Sequence, residues 1–97
     1  MTIKMIGENI VKYHLMLCCN YSCLRETMVN FKRHHRNAAE VNYTDRKIAI
    51  GNDQFFFIAD INNHLEKIRG IRCVDYRVCD GYDLSSEAKE QLKALVR

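Results

Sequence analysis

The stretch 47–59, KIAIGNDQFFFIA, constrains the fold more than any other part of this chain. Two β-prone segments flank Gly51 and Asn52, and a glycine at the first position of a two-residue loop suits a type II′ turn, which needs a positive φ there. The run from Phe55 to Ile58 has no polar alternation, so we expect both of its faces to be covered, as in a central strand. The stretch therefore predicts a β-hairpin whose second strand anchors the core.

Two N-terminal helices joined by a tight turn are predicted before this hairpin. Residues 6–19 place apolar side chains nearly all round at helical spacing, which is typical of a well-buried helix. Residues 23–35 form the second helix, and either Asn20 or Ser22 can cap it by accepting from a free backbone N–H. Its apolar stripe consists of Leu24, Met28 and Phe31.

A short helix, a strand and a last helix are predicted after the hairpin. Asp60 can cap the short helix, and Gly70 stands where a left-handed terminating residue is wanted. Residues 71–79 alternate and are rich in Val, Ile and Tyr, which favours a strand. Ser85 or Ser86 then begins the last helix, whose inward positions are Ala88, Leu92 and Leu95.

Length and composition point to one domain. A chain of 97 residues has room for one core, and 47% apolar with 28% charged residues is ordinary globular composition. We therefore predict a single α+β domain over residues 1–97, with two N-terminal helices, a β-hairpin, a short helix, a strand and a C-terminal helix. Residues 36–45 are predicted to form a loop, and the chain should fold alone or as a homodimer.

The same totals predict a soluble, cytoplasmic protein. The longest apolar runs, 15–19 and 55–59, fall short of the roughly 20 residues that a membrane helix needs. The first 20 residues show no secretory signal. Five cysteines are an odd number, and Cys18 is adjacent to Cys19, which suits reduced thiols better than a disulfide framework. We expect no membrane contact and, for a phage-encoded chain, the host cytoplasm.

Positive charge is concentrated in the first half of the chain. Residues 1–47 carry eight Lys/Arg against four Asp/Glu, whereas residues 48–97 carry seven against eight. The run KRHHR at 32–36 suits the end of a helix, where the dipole favours cations by about 0.3–1 kcal/mol. It could equally form one edge of a basic surface that attracts polyanions. The candidate nucleic-acid-binding residues are Arg25, Lys32, Arg33, Arg36, Arg46 and Lys47.

Cysteine and histidine occur in a pattern that first suggests zinc. The residue types are right, but no C-x2-C or H-x3-H pair exists, so buried apolar cysteines are the expected interpretation and no metal or cofactor is predicted. A Cys–His nucleophile likewise needs a thiolate held beside a base, which the sequence does not establish. The residues concerned are His14, Cys18, Cys19, Cys23, His34 and His35.

Three carboxylates, Asp75, Asp80 and Asp83, lie close together in VDYRVCDGYD. Such a group can form a magnesium site at the end of a strand. It also fits a polar turn between a strand and a helix, in which Asp-Gly supplies the turn residues. No phosphate-cradling loop accompanies the acids, so the turn is the favoured interpretation.

Residues 47–95 place a hairpin, a short helix ending in Arg-Gly, an apolar strand and an acidic turn before LSSEAKEQL. This layout resembles the Walker B region of phage large terminases and related helicase-like motor ATPases. Asp80 corresponds to the family's magnesium-associated aspartate, but Gly81 stands where the family keeps its catalytic glutamate, and no G-x4-G-K-[ST] occurs. The resemblance implies a reduced, non-enzymatic relative, such as a phage or mobile-element accessory protein. A vestigial nucleotide-binding domain that uses Asp80 is a further alternative.

A second resemblance is to winged helix-turn-helix domains. Predicted helices at 10–19 and 23–35 and the hairpin at 47–58 occur in the order helix, recognition helix, wing. In that arrangement Ser22, Arg25 and Glu26 would face bases.

These features together predict a small binding protein without enzymatic activity. Its basic N-terminal half would contact nucleic acid or an acidic partner protein. The alternative is a protein–protein inhibitor or regulator of a host enzyme that binds no nucleic acid.

Overall fold

A computed structural model of the protein describes residues 11–35 and 39–96. Its centre is a five-stranded sheet, with one α-helix on each face and two short 3₁₀ helices beside the second α-helix. In chain order the elements are β1 Lys12–Cys18, α1 Tyr21–His34, β2 Ala39–Asn42, β3 Lys47–Ile50, β4 Asp53–Ala59, the 3₁₀ helices Ile61–Asn63 and Leu65–Ile68, β5 Asp75–Val78 and α2 Ser86–Leu95.

The sheet has the strand order β2-β3-β4-β1-β5. β1 pairs in parallel with β4 on one side and with β5 on the other, whereas β2, β3 and β4 form an antiparallel meander. The carboxyl ends of β1, β4 and β5 therefore meet at one edge of the sheet, which we call the C-terminal edge. α1 begins at this edge because it follows β1 directly.

The predicted first helix is wrong where the structure describes it. Residues 12–18 form β1, and residues 6–10 lie outside the described residues. Leu15 and Leu17 face the α2 side of the sheet, while Met16 and Cys18 face α1. A strand that is covered on both faces carries apolar side chains in a nearly continuous run, so its sequence pattern resembles that of a buried helix. The winged helix-turn-helix arrangement fails with it, because a strand precedes α1.

The predicted hairpin is confirmed. β3 and β4 pair in antiparallel fashion around Gly51, whose φ of 60° has the sign that the first position of a type II′ turn requires. β4 is the middle strand of five, and side chains of the two hydrophobic clusters cover its two faces as predicted. Phe57 and Ala59 are buried against α1, while Phe56 and Ile58 pack on the α2 side.

The predicted short helix is replaced by two 3₁₀ helices. Asp60 does not cap the first, because it lies in the left-handed region with φ of 56° and its carboxylate accepts from the Asn63 side chain. The break lies at His64, whose φ of −142° is not helical. Asn62 ties the first 3₁₀ helix to the following loop: its backbone N–H donates to the Tyr82 hydroxyl, and its side chain bonds the chain at 83–85.

Of the remaining predicted features, two helix caps and a left-handed glycine are confirmed, and the predicted loop is wrong. Asn20 caps α1 by accepting from the Cys23 N–H at 2.8 Å, and Ser85 caps α2 by accepting from the Ala88 N–H at 3.1 Å. Gly70 has the positive φ predicted for it, 81°. The predicted loop at 36–45 instead contains the edge strand β2. The result is an α+β fold whose described part has one α-helix before β5 and one after it, whereas three helices were predicted before β5 and one after it.

Two hydrophobic clusters hold the helices to the sheet. On one face α1 contributes Leu24 and Met28, which pack with Ile48 and Phe57. On the other face Leu92 of α2 packs with residues of β1 and of both 3₁₀ helices. No helix among the described residues is both long and apolar enough to cross a lipid bilayer.

Candidate functional site

A groove lies between α1 and the turn that joins β2 to β3, and we call it the tyrosine groove. Its volume is about 410 Å³. The rings of Tyr21 and Tyr43 are about half exposed in it, and Leu24 and Met28 form its apolar floor. The lining residues are Tyr21, Leu24, Arg25, Met28, Tyr43, Thr44 and Arg46.

Local hydrogen bonds fix both walls of the tyrosine groove. On the helix wall, the Asn20 cap satisfies a free N–H in the first turn of α1, next to Tyr21. On the turn wall, the Asp45 N–H donates to the Asn42 side chain at 2.9 Å, and the Asn42 amide donates back to the Asp45 carboxylate at 3.0 Å. The Phe57 N–H then donates to the Arg46 carbonyl at 2.9 Å, which ties the turn to β4.

The charge in the tyrosine groove is positive. The Arg46 guanidinium lies over the Tyr21 ring at 4.4 Å from its centroid, and the Lys67 ammonium lies 5.9 Å from the same centroid. No carboxylate is among the lining side chains. Within residues 11–35 and 39–96, the ion pairs closer than 4.0 Å all involve His14 or His64, so neither Arg25 nor Arg46 forms such a pair with an acid of these ranges.

The six predicted contact residues do not form one patch. Arg25 and Arg46 line the tyrosine groove, and Lys32 extends it, because it lies one helical turn beyond Met28 on the same side of α1. Arg33 is exposed near the end of α1, and Arg36 lies outside the described residues.

Lys47 lies apart from the other basic residues. It pairs with Phe56, and paired residues point to the same face of a sheet, so its side chain is on the α2 side. Tyr21 and Tyr43 were not among the predicted contact residues. The available signal was their position within three or four residues of Arg25 and Arg46, shortly before the predicted helix at 23–35 and the predicted hairpin at 47–58.

Three cysteines converge at the C-terminal edge, and we call them the thiol cluster. Cys19 follows β1, Cys23 lies in the first turn of α1, and Cys79 follows β5. Their sulfur atoms lie within 4.8 Å of one another, and those of Cys23 and Cys79 are 3.3 Å apart. All three side chains are half-buried. The expectation that every cysteine is an inert core residue therefore fits only Cys18 and Cys73, which are buried.

The thiols of this cluster differ in acidity. Burial acts to raise the pKa of Cys23, but hydrogen bonds from the Cys79 thiol and the Cys19 backbone bring it below the ordinary value. Burial and the bond to Cys23 raise the pKa of Cys79 to about 11. Cys79 therefore holds its proton more tightly than Cys23 does, and the two thiols are joined by a hydrogen bond.

His14 joins three strands at the opposite edge of the sheet. Its Nδ1 lies 2.8 Å from the Asp75 carboxylate and its Nε2 lies 2.9 Å from that of Asp53, while its ring stacks on Phe55 with centroids 4.5 Å apart. Burial acts to lower the pKa of His14, but the two carboxylates outweigh it and raise the pKa above 6.5. The protonated ring can donate to both acids at once, so this arrangement ties β4, β1 and β5 together.

The three acids considered for magnesium are not brought together. Asp75 bonds His14 at the start of β5, whereas Asp80 lies exposed beyond the other end of that strand. Successive strand residues rise by about 3.3 Å, so several residues of strand separate the two carboxylates. His14 and the thiol cluster likewise lie at opposite ends of β1.

Comparison of this chain with protein-family models, with curated proteins and with solved structures finds no match. The chemistry of the described side chains is therefore the basis for the functional assignment.

Proposed function

We propose that this protein binds single-stranded nucleic acid in the tyrosine groove and has no catalytic role there. One observation carries the proposal: two half-exposed tyrosine rings and two arginines without acidic partners line the same groove. Proteins that hold single strands combine aromatic rings, on which bases stack, with cations that follow the phosphates. Bases in a duplex are already stacked, so exposed rings favour an unpaired strand.

Each side chain has a definite part in this proposal. Tyr43 offers its ring to a base, because no cation–π or ring contact within the described chain occupies it. Arg46 lies on Tyr21 in a cation–π contact, and the N–H groups at the edge of its guanidinium can bind a phosphate. Arg25 faces it across the groove, and Lys32 and Lys67 extend the positive charge beyond the two ends.

A fluorescence-anisotropy titration with a labelled oligothymidylate at low salt tests the proposal. Base–aromatic stacking contributes about 1–3 kcal/mol per base, so Tyr43→Ala should weaken binding by about 5- to 150-fold. Tyr43→Phe keeps the ring and should bind nearly as well as the wild type. Tyr13→Ala is the matched control, because Tyr13 is comparably exposed but lies on the α2 side of the sheet.

An acidic polypeptide separates base recognition from charge alone. Polyglutamate supplies carboxylates without bases, so it should compete only at a large excess over the oligonucleotide. Equal competition, with Tyr43→Ala binding as well as wild type, would favour an acidic protein as the partner. No binding of the oligonucleotide at low salt would refute the proposal outright.

A protein–protein module is the second candidate, and an apolar surface on the α2 side favours it. Val11, Tyr13 and Val74 are each exposed by more than a third, and Tyr13 also borders a cavity of about 460 Å³ with Phe56 and Ile71. Exposed apolar side chains that lie together mark interaction sites. Capture from host lysate followed by mass spectrometry, with Tyr13→Asp as the control bait, tests this role. A partner lost in Tyr13→Asp supports it, and identical captures by both baits would contradict it.

A further inference from the structure

We propose that Cys19, Cys23 and Cys79 bind one thiophilic metal ion of the zinc class at the C-terminal edge of the sheet. This site is separate from the tyrosine groove and does not depend on the proposed function.

The geometry of the sulfur atoms suits such an ion. Zinc–sulfur bonds of about 2.3 Å require sulfur atoms about 3.8 Å apart in a tetrahedral site. The three sulfur atoms lie within 4.8 Å of one another, and those of Cys23 and Cys79 are 3.3 Å apart, so no separation exceeds the required one by more than about 1 Å. A small rotation of half-buried side chains is enough to equalise the distances.

The fold holds these three residues close for reasons that do not depend on a metal. Cys19 and Cys79 follow the parallel neighbours β1 and β5, and the Cys79 N–H donates to the Leu17 carbonyl at 2.9 Å, which continues their ladder. Cys23 is placed by α1, since its backbone N–H is bound by the Asn20 cap and its carbonyl accepts from the Thr27 hydroxyl at 2.7 Å. The ligands therefore come from three rigid positions.

The surroundings compensate the negative charge of bound thiolates. Cys23 lies in the first turn of α1, where the helix dipole favours negative charge. Arg77 and Asp80 line an open cavity of about 330 Å³ with Cys79. The cavity opens to solvent beside Cys79, and a water can supply the fourth, oxygen ligand.

The third thiol distinguishes a metal site from a simple thiol pair. Cys23 and Cys79 are close enough to exchange a hydrogen bond, and two cysteines suffice for that or for a disulfide. Neither arrangement uses Cys19, which is adjacent to the buried Cys18 and yet has its sulfur within reach of the other two. A three-sulfur site accounts for all three positions.

Cobalt(II) is the probe that tests this site, because its spectrum reports its ligands. The full-length protein, reduced and with all five thiols confirmed by titration, should take up one Co²⁺ per chain. The complex should show thiolate-to-cobalt charge transfer and the intense ligand-field bands of tetrahedral coordination. One equivalent of Zn²⁺ should then displace the cobalt and remove these bands.

Variants identify the ligands. Cys23→Ser, Cys79→Ser and Cys19→Ser should each weaken Zn²⁺ binding by more than the roughly 10- to 100-fold that loss of an outer hydrogen-bonding partner costs. Cys73→Ser is the control and should bind as the wild type does, because Cys73 is buried in the other cluster. Circular dichroism establishes that each variant is folded.

Two results would overturn the proposal. The first is the absence of a thiolate–cobalt band in the reduced wild type, which needs no variant. The second is unchanged Zn²⁺ affinity in folded Cys19→Ser, which would leave only the Cys23–Cys79 pair. Loss of metal binding with retained oligonucleotide binding would leave the proposed function intact, so the two claims fail separately.

Discussion

Removal of Arg25 should reduce both the affinity for single strands and its dependence on salt. Arg25, Arg46, Lys32 and Lys67 are the four cations in or beside the tyrosine groove. Each neutralised phosphate of a single strand contributes about −0.7 to the slope of log K against log salt, so four give about −2.8. A rise from 50 to 200 mM salt should then weaken wild-type binding by about 50-fold.

Arg25→Ala leaves three cations, so its slope should be about −2.1 and the same rise in salt should cost about 20-fold. Anisotropy titrations of one oligonucleotide at four salt concentrations measure both slopes. Arg72→Ala is the matched control, because Arg72 is exposed beside Tyr13 on the other side of the sheet. The reasoning is refuted if Arg25→Ala keeps the wild-type slope, or if Arg72→Ala lowers the slope by the same amount.

Three further predictions concern the fold and are measured by urea denaturation. Leu15→Ala removes a side chain that is fully buried in β1 and should destabilise the protein by about 2–5 kcal/mol, whereas the exposed Val29→Ala should stay within about 0.5 kcal/mol of wild type. Asn20→Ala removes the cap of α1 and should cost about 0.5–2 kcal/mol; no loss would contradict the role of the 2.8 Å bond to Cys23. Because the folded-state pKa of His14 is raised above 6.5, its contribution is full below about pH 6.5 and is lost as the pH rises through the folded-state pKa. His14→Gln should therefore lose more stability at pH 6 than at pH 9, and an equal loss at both would contradict the ion-pair account.

Local signals predicted the elements that local interactions determine. Gly51 specified the hairpin turn, Asn20 and Ser85 specified the starts of the two α-helices, and Gly70 marked a left-handed residue. Each acts through a φ value or a hydrogen bond within three or four residues.

The elements that depend on tertiary packing were predicted wrongly or missed. β1 is apolar on both faces because β4 and β5 flank it and helices cover it, and periodicity cannot distinguish such a strand from a buried helix. β2 is defined by its pairing with β3 alone. The predicted short helix is broken at His64, and Asn62 beside the break binds Tyr82 and Ser85, about 20 positions away.

The candidate sites follow the same division. Arg25 and Arg46 were identified from charge, but their meeting in one groove depends on how the turn before β3 packs against α1. Cys79 joins Cys19 and Cys23 only because β5 lies beside β1. Without knowledge of the strand order, the sequence could not reveal a thiol site in which Cys79 lies 56 positions after Cys23.

Photochemical crosslinking of a thiouridine-substituted oligonucleotide, with the attached residues located by mass spectrometry, tests the binding surface directly. The chain has five tyrosines, and only Tyr21 and Tyr43 line the tyrosine groove. Crosslinks at Tyr43 or Tyr21 that disappear in competition with unlabelled single strand are the predicted result. Crosslinks confined to Tyr13, Tyr76 or Tyr82, on the α2 side of the sheet, would contradict the assignment.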